Sequence, residues 1–317
     1  MKDSKKILIS LVNWLKFEDT IFCVNGLNKH LSYPNYKIRI IDNNSPNSSL
    51  EKLKSCLINT DIISSKDNLG YASGHQINVD FAIKNNFDAI WILNSDLEIQ
   101  KLSLTHLINA WNAEGNHIFG SVTLKSKSPN IVDFAGGLSP AESEGFSYNI
   151  YKNLPYEELP SDEIREVQSV EGSSILIPIE LIKNHGFMRK DFFIYGEETD
   201  YCFRLRTKGI KSFIVKSSIV IHYNSGSFKN LNNLNWILSY YRRRNFMLFM
   251  ADHYGWSRKQ ILNANDKTFS RMRFKLKCML SRDYRERNKI LLWELKGSEH
   301  AAKGIRGKIV DPNKFLN

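Results

Sequence analysis

Short apolar runs alternate with helical spacing along the first two-thirds of the chain, the pattern of parallel βα units. Lys6–Asn13 (K-I-L-I-S-L-V-N) predicts a buried strand, and residues 19–31 carry helical spacing. Tyr36–Asp42 (Y-K-I-R-I-I-D) predicts a second strand, closed by the turn Asn43-Asn44-Ser45-Pro46 and followed by a helix from about Ser48. Ile62-Ile63 marks a short third strand. After the polar loop Lys66–Gly70 a helix runs to about Asn86, and Asp88–Leu93 (D-A-I-W-I-L) predicts a fourth strand. A further strand is expected at His117–Leu124. Residues 125–166, rich in Ser, Pro, Gly and Asn, read as a loop-rich insertion with room for a hairpin. Gly172–Pro178 predicts another buried strand. Phe192–Asp200 should open a helix running through Thr207, because carboxylates are favoured in a first turn by the helix dipole. Two short strands follow, Lys211–Val215 and Ser218–His222, and from Leu231 onward aromatic and basic residues interleave with helical spacing.

The expected organisation is an α/β part over residues 1–230, divisible near residue 100, and a helical region over 231–317. A chain of 317 residues with 42% apolar content can bury a full core, which excludes disorder and small stapled scaffolds. Cys23, Cys56, Cys202 and Cys278 form no C-x-x-C pair and no zinc spacing, so they read as free thiols of a reducing compartment. The apolar run after the basic start is too short for a signal peptide, and no window approaches the ~20 apolar residues that span a bilayer. A cytoplasmic chain is expected, with any membrane contact peripheral. The formal net charge of +11 points to an anionic partner: nucleic acid, a phospholipid surface or a phosphorylated substrate. It is unevenly spread. Residues 1–238 hold 25 Lys/Arg and 26 Asp/Glu, whereas residues 239–308 hold 18 and 6, a net of +12.

Parallel α/β sheets bind ligands at the carboxyl ends of their strands. No G-x-G-x-x-G follows the first strand, and there is no G-x-x-x-x-G-K-[ST], G-x-S-x-G or H-E-x-x-H, so dinucleotide oxidoreductases, P-loop enzymes, serine hydrolases and zincins lose support. The strands end instead in Asn13, Asp42-Asn43-Asn44 and Asn94-Ser95-Asp96, which are hydrogen-bonding and metal-binding groups. Asp96, at the end of an apolar strand, can hold a hard divalent cation against a ligand's phosphates; N-S-D is also an ordinary strand-ending turn. Glu197, Glu198 and Asp200 put three acids at a helix start among aromatic residues. Like charges so close raise at least one pKa and make a usable general base, although an acidic first turn that merely complements the dipole is the plainer reading. His222 ends a strand and is either a ligand or a satisfied core histidine.

The ordered set V-N-W (Val12–Trp14), D-N-N-S (Asp42–Ser45), D-N-L-G-Y-A-S-G (Asp67–Gly74), L-N-S-D (Leu93–Asp96), F-F-I-Y-G-E-E-T-D-Y-C-F-R (Phe192–Arg204) and I-H-Y (Ile221–Tyr223) resembles the inverting glycosyltransferases of family 2. It resembles most the rhamnosyltransferase-like branch that builds bacterial O-antigens and capsules. The match spans residues 6 to about 250. The resemblance implies a GT-A fold: a Rossmann-like, mostly parallel sheet flanked by helices, here with a basic C-terminal helical extension. Residues 1–100 would bind the nucleotide and 101–230 the acceptor. It implies a nucleotide-diphospho-sugar donor and Mg²⁺ or Mn²⁺ held by Asp96 and His222. Val12 and Asn13 would line the base, Asp42 would bond it, and Asn68 and Gly70 would let the loop approach the nucleoside. Asn44, Tyr71, Asn94, Ser95 and Arg244 complete the expected donor site. Glu198 would deprotonate the acceptor hydroxyl, with Glu197 and Asp200 shaping its field. Asn94 stands where many relatives have Asp, E-E-x-D replaces the usual E-D-x-D, and the processive enzymes' Q-x-x-R-W is absent, which argues for one sugar per acceptor.

Arg242–Arg244, in a basic segment that relatives share in outline, suit bidentate phosphate contact. Phe269–Leu280 projects as a helix with one apolar stripe and basic flanks, able to lie in an anionic membrane interface or to pack on the core with a basic outer face. The expected acceptor is a glycan, free or polyprenyl-diphosphate-linked, at an anionic inner membrane face. The rival readings are a sugar nucleotidyltransferase, against which no Gly- and Lys-rich phosphate loop is found, and a basic lipid- or nucleic-acid-binding module. The near-neutral first 238 residues argue against nucleic acid.

Overall fold

Ile7–Asn13 (β1) is apolar except at Ser10 and Asn13 and is buried along its length, which places it mid-sheet, with Tyr36–Asp42 (β2) on one edge and Ala89–Leu93 (β4) on the other, both parallel to it. The computed structural model describes residues 4–143, 149–223, 234–264 and 282–316. The remaining strands among these are Asp61–Ser64 (β3), Leu97–Ile99 (β5), Ile118–Lys125 (β6), Ser128–Phe134 (β7), Ile164–Val167 (β8), Ser174–Pro178 (β9) and Ser212–His222 (β10). They form one sheet in the order β3-β2-β1-β4-β9-β6-β10-β5, with β7 added on β6 and β8 on β10. The strands β3, β2, β1, β4, β6 and β10 run one way, and β9 runs against its neighbours β4 and β6.

The alternation along β1 sorts the core into two layers. Ile7, Ile9 and Leu11 pack with Phe17–His30 (α1), Ser49–Cys56 (α2) and Ser103–Glu114 (α4). Leu8 on the opposite face packs with Gly70–Lys84 (α3), Ile179–His185 (α6) and Glu197–Arg206 (α7). Pro140–Ser143 (α5) is a single short turn. This mixed sheet between two helical layers is the α/β architecture the patterning predicts.

Two expectations change. The strands expected at 211–215 and 218–222 are one strand, β10, with an irregularity between Val215 and Ile219. Ser217 bonds Glu163 through its N–H and Oγ, and Ser218 Oγ meets Ser121 Oγ at 2.8 Å, so the polar pair marks a bulge rather than a break. The insertion at 125–166 contributes β7, which folds back on β6 as a hairpin, and most of β8, and both extend the sheet.

The C-terminal region folds as Asn235–Tyr254 (α8), Arg258–Asn263 (α9) and Arg282–Ala302 (α10). Trp236, Tyr240 and Tyr241 of α8 share an apolar cluster with Trp14 and Phe193 of the α/β part. Much of the local basicity faces inward or is paired. Arg243 Nε donates to Ser298 Oγ and its Nη2 to the Ala264 carbonyl, Arg306 bonds Asp191 and Asp252, and Lys308 meets Asp67 at 2.5 Å. The last described residues run back over the α/β part, where Asn313 Oδ1 accepts from Trp14 Nε1 and Asn313 Nδ2 donates to the Asn44 carbonyl. The amphipathic stripe expected at residues 269–280 lies outside the described residues. No helix among the described residues is long and apolar enough to cross a membrane.

Candidate active site

The carboxyl ends of β1 and β4, the end of β10, the start of α7 and one side of α8 enclose a cavity of about 540 Å³. Of the residues expected from sequence, Val12, Asn68, Gly70, Tyr71, Asn94, Ser95, Asp96, Glu197, Glu198 and His222 line it. Five do not. Asn13 and Asp42 are buried off the cavity wall, where Asn13 Nδ2 donates to Asp42 Oδ1 at 2.8 Å and Ser45 Oγ donates to the same oxygen at 2.7 Å. Asn44 turns away at a φ of +55°, and Asn43 lines the cavity in its stead. Asn43 Nδ2 donates to Asn68 Oδ1 and to the Gly70 carbonyl, and its Oδ1 accepts from the Leu69 N–H, so it folds the loop before α3 against the end of β2.

The other two are buried off the cavity wall. Asp200 points out of the cavity into a cluster of Arg189, Arg204 and His253, at 3.3, 2.8 and 2.7 Å. Burial would raise its pKa, but the hydrogen bonds from His253 and Arg204 and the charge of Arg189 outweigh it and hold the carboxyl below the usual range. Arg244 is fully buried and spends its donors on protein acceptors, among them the carbonyls of Gly307 and Phe192. Its neighbour Arg242 faces the cavity instead, with its guanidinium 4.3 Å from the centre of the Tyr195 ring.

Two polar groups line the cavity. On the sheet side His222 Nε2 donates to Asp96 Oδ1 at 3.1 Å, and His222 Nδ1 is buried without a hydrogen-bond partner. Burial alone would lower the histidine pKa, and the bond and charge of Asp96 more than reverse that. Among the described residues no three His, Cys, Asp or Glu gather as a metal cluster, so the chain offers one carboxylate and one imidazole. This suits a hard cation that takes its other ligands from phosphate oxygens and water. On the helix side, the first turn of α7 presents Glu198, half-buried, with its pKa pushed up to about 7 chiefly by burial and then by the charge of Glu171. Glu197 is buried more deeply, with Oε1 unpartnered, and burial followed by the charge of Glu198 holds it well above the ordinary carboxylate range. Glu198 is therefore the member of the pair that can cycle a proton near neutral pH.

Sequence reasoning missed Glu171. Its carboxylate accepts from Ser173 Oγ at 2.8 Å and lines the cavity just before β9; the signal available was an acid before the buried run Gly172–Pro178. It also missed Trp14 as a wall residue, although V-N-W was among the motifs.

Gly70 is required where it stands. Its φ is +76°, and a Cβ there would overlap the Phe193 carbonyl oxygen, which also accepts from the Tyr71 N–H at 2.8 Å. Gly70→Ala is expected to cost about 3 kcal/mol or more from strain and overlap together, read as a lower urea midpoint.

The model of Glycosyl transferase family 2 matches residues 17–156. Less than half of the chain is thus similar to glycosyltransferase family 2. This segment carries the cavity-lining residues from Asp19 to Asp96. A low-salt glycan biosynthesis hexosyltransferase of Haloferax volcanii is 29% identical over 172 residues, which cover 52% of each chain; the chain thus spans about half the length of that curated relative. A crystal structure of GalNAc-T7 with UDP, GalNAc and Mn²⁺ superposes with a TM-score of 0.60 at 14% identity, covering 93% of this chain and 57% of the other. A mannosyltransferase of Pyrobaculum calidifontis in complex with GDP-Man and Mn²⁺ superposes at 0.56 with 8% identity, covering 95% and 88%. The fold is GT-A.

Proposed function

We propose that this chain is an inverting, non-processive glycosyltransferase that moves one hexose from a nucleotide-diphospho-sugar to a hydroxyl of a glycan. The observation that carries the reading is that one cavity is lined both by a carboxylate–imidazole pair suited to a diphosphate-bound cation and by a glutamate poised near pH 7. Val12, Trp14, Asn43 and Asn68 form the nucleoside end, and Asn94, Ser95, Asp96 and His222 the diphosphate end. Asp96 and His222 would hold Mg²⁺ or Mn²⁺, which when bound offsets the charge of the departing diphosphate.

Glu198 takes the proton of the acceptor hydroxyl as that oxygen bonds to the anomeric carbon, and the bond from that carbon to the diphosphate oxygen breaks with its electrons on the nucleoside diphosphate. A single displacement of this kind inverts the anomeric configuration and needs one base on the acceptor side. A glycoside hydrolase would need two carboxylates flanking the bond and a water. The Haloferax relative supports a hexose donor and a glycan product, and the two Mn²⁺ complexes support a metal-bound nucleotide sugar. dTDP-rhamnose is the favoured donor by motif resemblance, with UDP-sugars next. An acceptor on a lipid diphosphate, in O-antigen or capsule synthesis at the inner face of an anionic membrane, fits the basic residues 239–308.

The test is a panel of nucleotide sugars assayed for nucleoside diphosphate release with Mn²⁺ or Mg²⁺. One donor is expected to give release that needs both acceptor and metal, and EDTA is expected to abolish it. Full turnover in EDTA would remove the metal from the reading, and release of inorganic diphosphate from a sugar phosphate and a nucleoside triphosphate would show a nucleotidyltransferase instead.

A further inference from the structure

The stretch Phe192–Gly196 that delivers Glu197 and Glu198 to the cavity has an unusual backbone. Phe193 and Tyr195 both have φ of +69° and Gly196 has +91°, so two aromatic residues occupy the left-handed region that side chains with a Cβ avoid. Such a backbone persists only where its surroundings hold it. Its carbonyls show what does. Asn245 Nδ2 lies 3.0, 2.8 and 2.8 Å from the carbonyl oxygens of Phe192, Ile194 and Tyr195. Arg244 Nη2 donates to the Phe192 carbonyl at 2.8 Å, and Arg244 Nε and Nη2 both donate to Asn245 Oδ1, at 3.0 and 2.9 Å, which fixes the amide with its nitrogen toward the loop. Both side chains are fully buried on α8. The Phe193 carbonyl is taken from the other side by the Tyr71 N–H.

We propose that Asn245, oriented by Arg244, is a positioning residue for the acceptor-activating base: it fixes the carbonyls of the 192–195 loop and so sets where the first turn of α7 presents Glu198. This inference deepens the transferase reading and rests on it for the role of Glu198, while the clamp itself rests on the hydrogen bonds alone. Burying a guanidinium among backbone carbonyls is a costly way to fill a helix interface that apolar side chains could fill. The donors converge on the one loop whose Phe193, Ile194 and Tyr195 line the cavity. Asp96 and His222 stand on other elements, and the loop touches the nucleoside end through the Tyr71 N–H and the packing of Phe193 with Trp14, so the clamp acts chiefly on the acceptor side.

Asn245→Asp keeps the size and the acceptor for Arg244 but replaces the donating amide by an oxygen, and Asn245→Ala removes both. In each, kcat is expected to fall about 10²-fold, the cost of a displaced reactive group, while the Kd of UDP or dTDP with Mn²⁺, whichever the wild-type chain binds, stays at its wild-type value. Backbone amides of residues 193–199 are expected to exchange at least about tenfold faster without any substrate, with the far strands β1 and β2 unchanged. Wild-type kcat in Asn245→Asp, or unchanged exchange in both variants, would overturn the inference. So would equal losses of kcat and nucleotide affinity, or global unfolding of both variants, since these would make Asn245 a residue of the fold alone. Failure of the wild-type chain to transfer any sugar, with the exchange result as expected, would sink the transferase reading and not the clamp.

Discussion

Replacing Glu198 by Gln is expected to lower transfer by about 10²- to 10⁴-fold, the span that general-base catalysis covers, while leaving the nucleotide bound. The amide keeps the volume and part of the hydrogen bonding at the start of α7 but cannot take a proton. The pH profile carries the sharper test. In the wild-type chain the base is active when ionised, so kcat/KM should rise about tenfold per pH unit up to about 7 and then level, because burial pushes Glu198 up to about 7. In Glu198→Gln that limb should vanish. Stability should move oppositely. A carboxyl whose folded pKa is raised above the ordinary value of 4.5 binds its proton more tightly in the native state. Its contribution is therefore full below about 4.5 and is lost as pH rises through about 7. Glu198→Gln is expected to melt above the wild-type chain at pH 8 and to lose that advantage at pH 5. A variant that kept the acid limb would move the base to another residue, Glu197 or Glu171 first.

Asp96→Ala is expected to cut transfer about 10³-fold, the scale on which stabilisation of a leaving diphosphate by a bound cation operates. The backbone can tolerate it. The Asp96 carbonyl accepts from the Tyr223 N–H at 3.0 Å irrespective of side chain, and β5 pairs with β10 through Leu97, Glu98 and Ile99. The fold should thus survive while the binding signature goes. Mn²⁺ with nucleoside diphosphate should raise the melting temperature of the wild-type chain and not that of Asp96→Ala. EDTA on the wild-type protein should reproduce the loss reversibly. Retained metal-dependent stabilisation in Asp96→Ala would place the cation elsewhere.

The parts of the fold legible in the sequence are those where one physical signal dominates. The strands β1 and β4 are near-continuous apolar runs because a parallel sheet buried on both faces has nowhere to put polar side chains, while β2 nearer the edge alternates Ile with Lys37 and Arg39. The three-residue β5 is too short to carry a period, and the amphipathic α4 went unread between two clearer strands. The site follows the same rule. Residues at strand ends were legible because topology alone carries them to the cavity. The contrast between Glu198 and Asp200, two residues apart, was not legible. It is decided by which side of α7 meets Arg189 and His253, and those come from other elements. Arg244 was misplaced for a related reason: an arginine in a basic run reads as surface, and only the tertiary structure shows backbone carbonyls that use up its donors.

The place of β9 has a consequence for how the chain can be cut. It is made after residue 170, yet it lies between β4 and β6 and pairs with both. Until it arrives, the strand that ends in the expected metal ligand has one bare edge, open to pairing with another chain. The segment similar to family 2, residues 17–156, stops short of it and starts after β1. That segment is thus a stretch of recognisable sequence and not a unit that can close its own sheet. The strand leading to Asp96 is thus joined to β6 only through a strand made later in the chain.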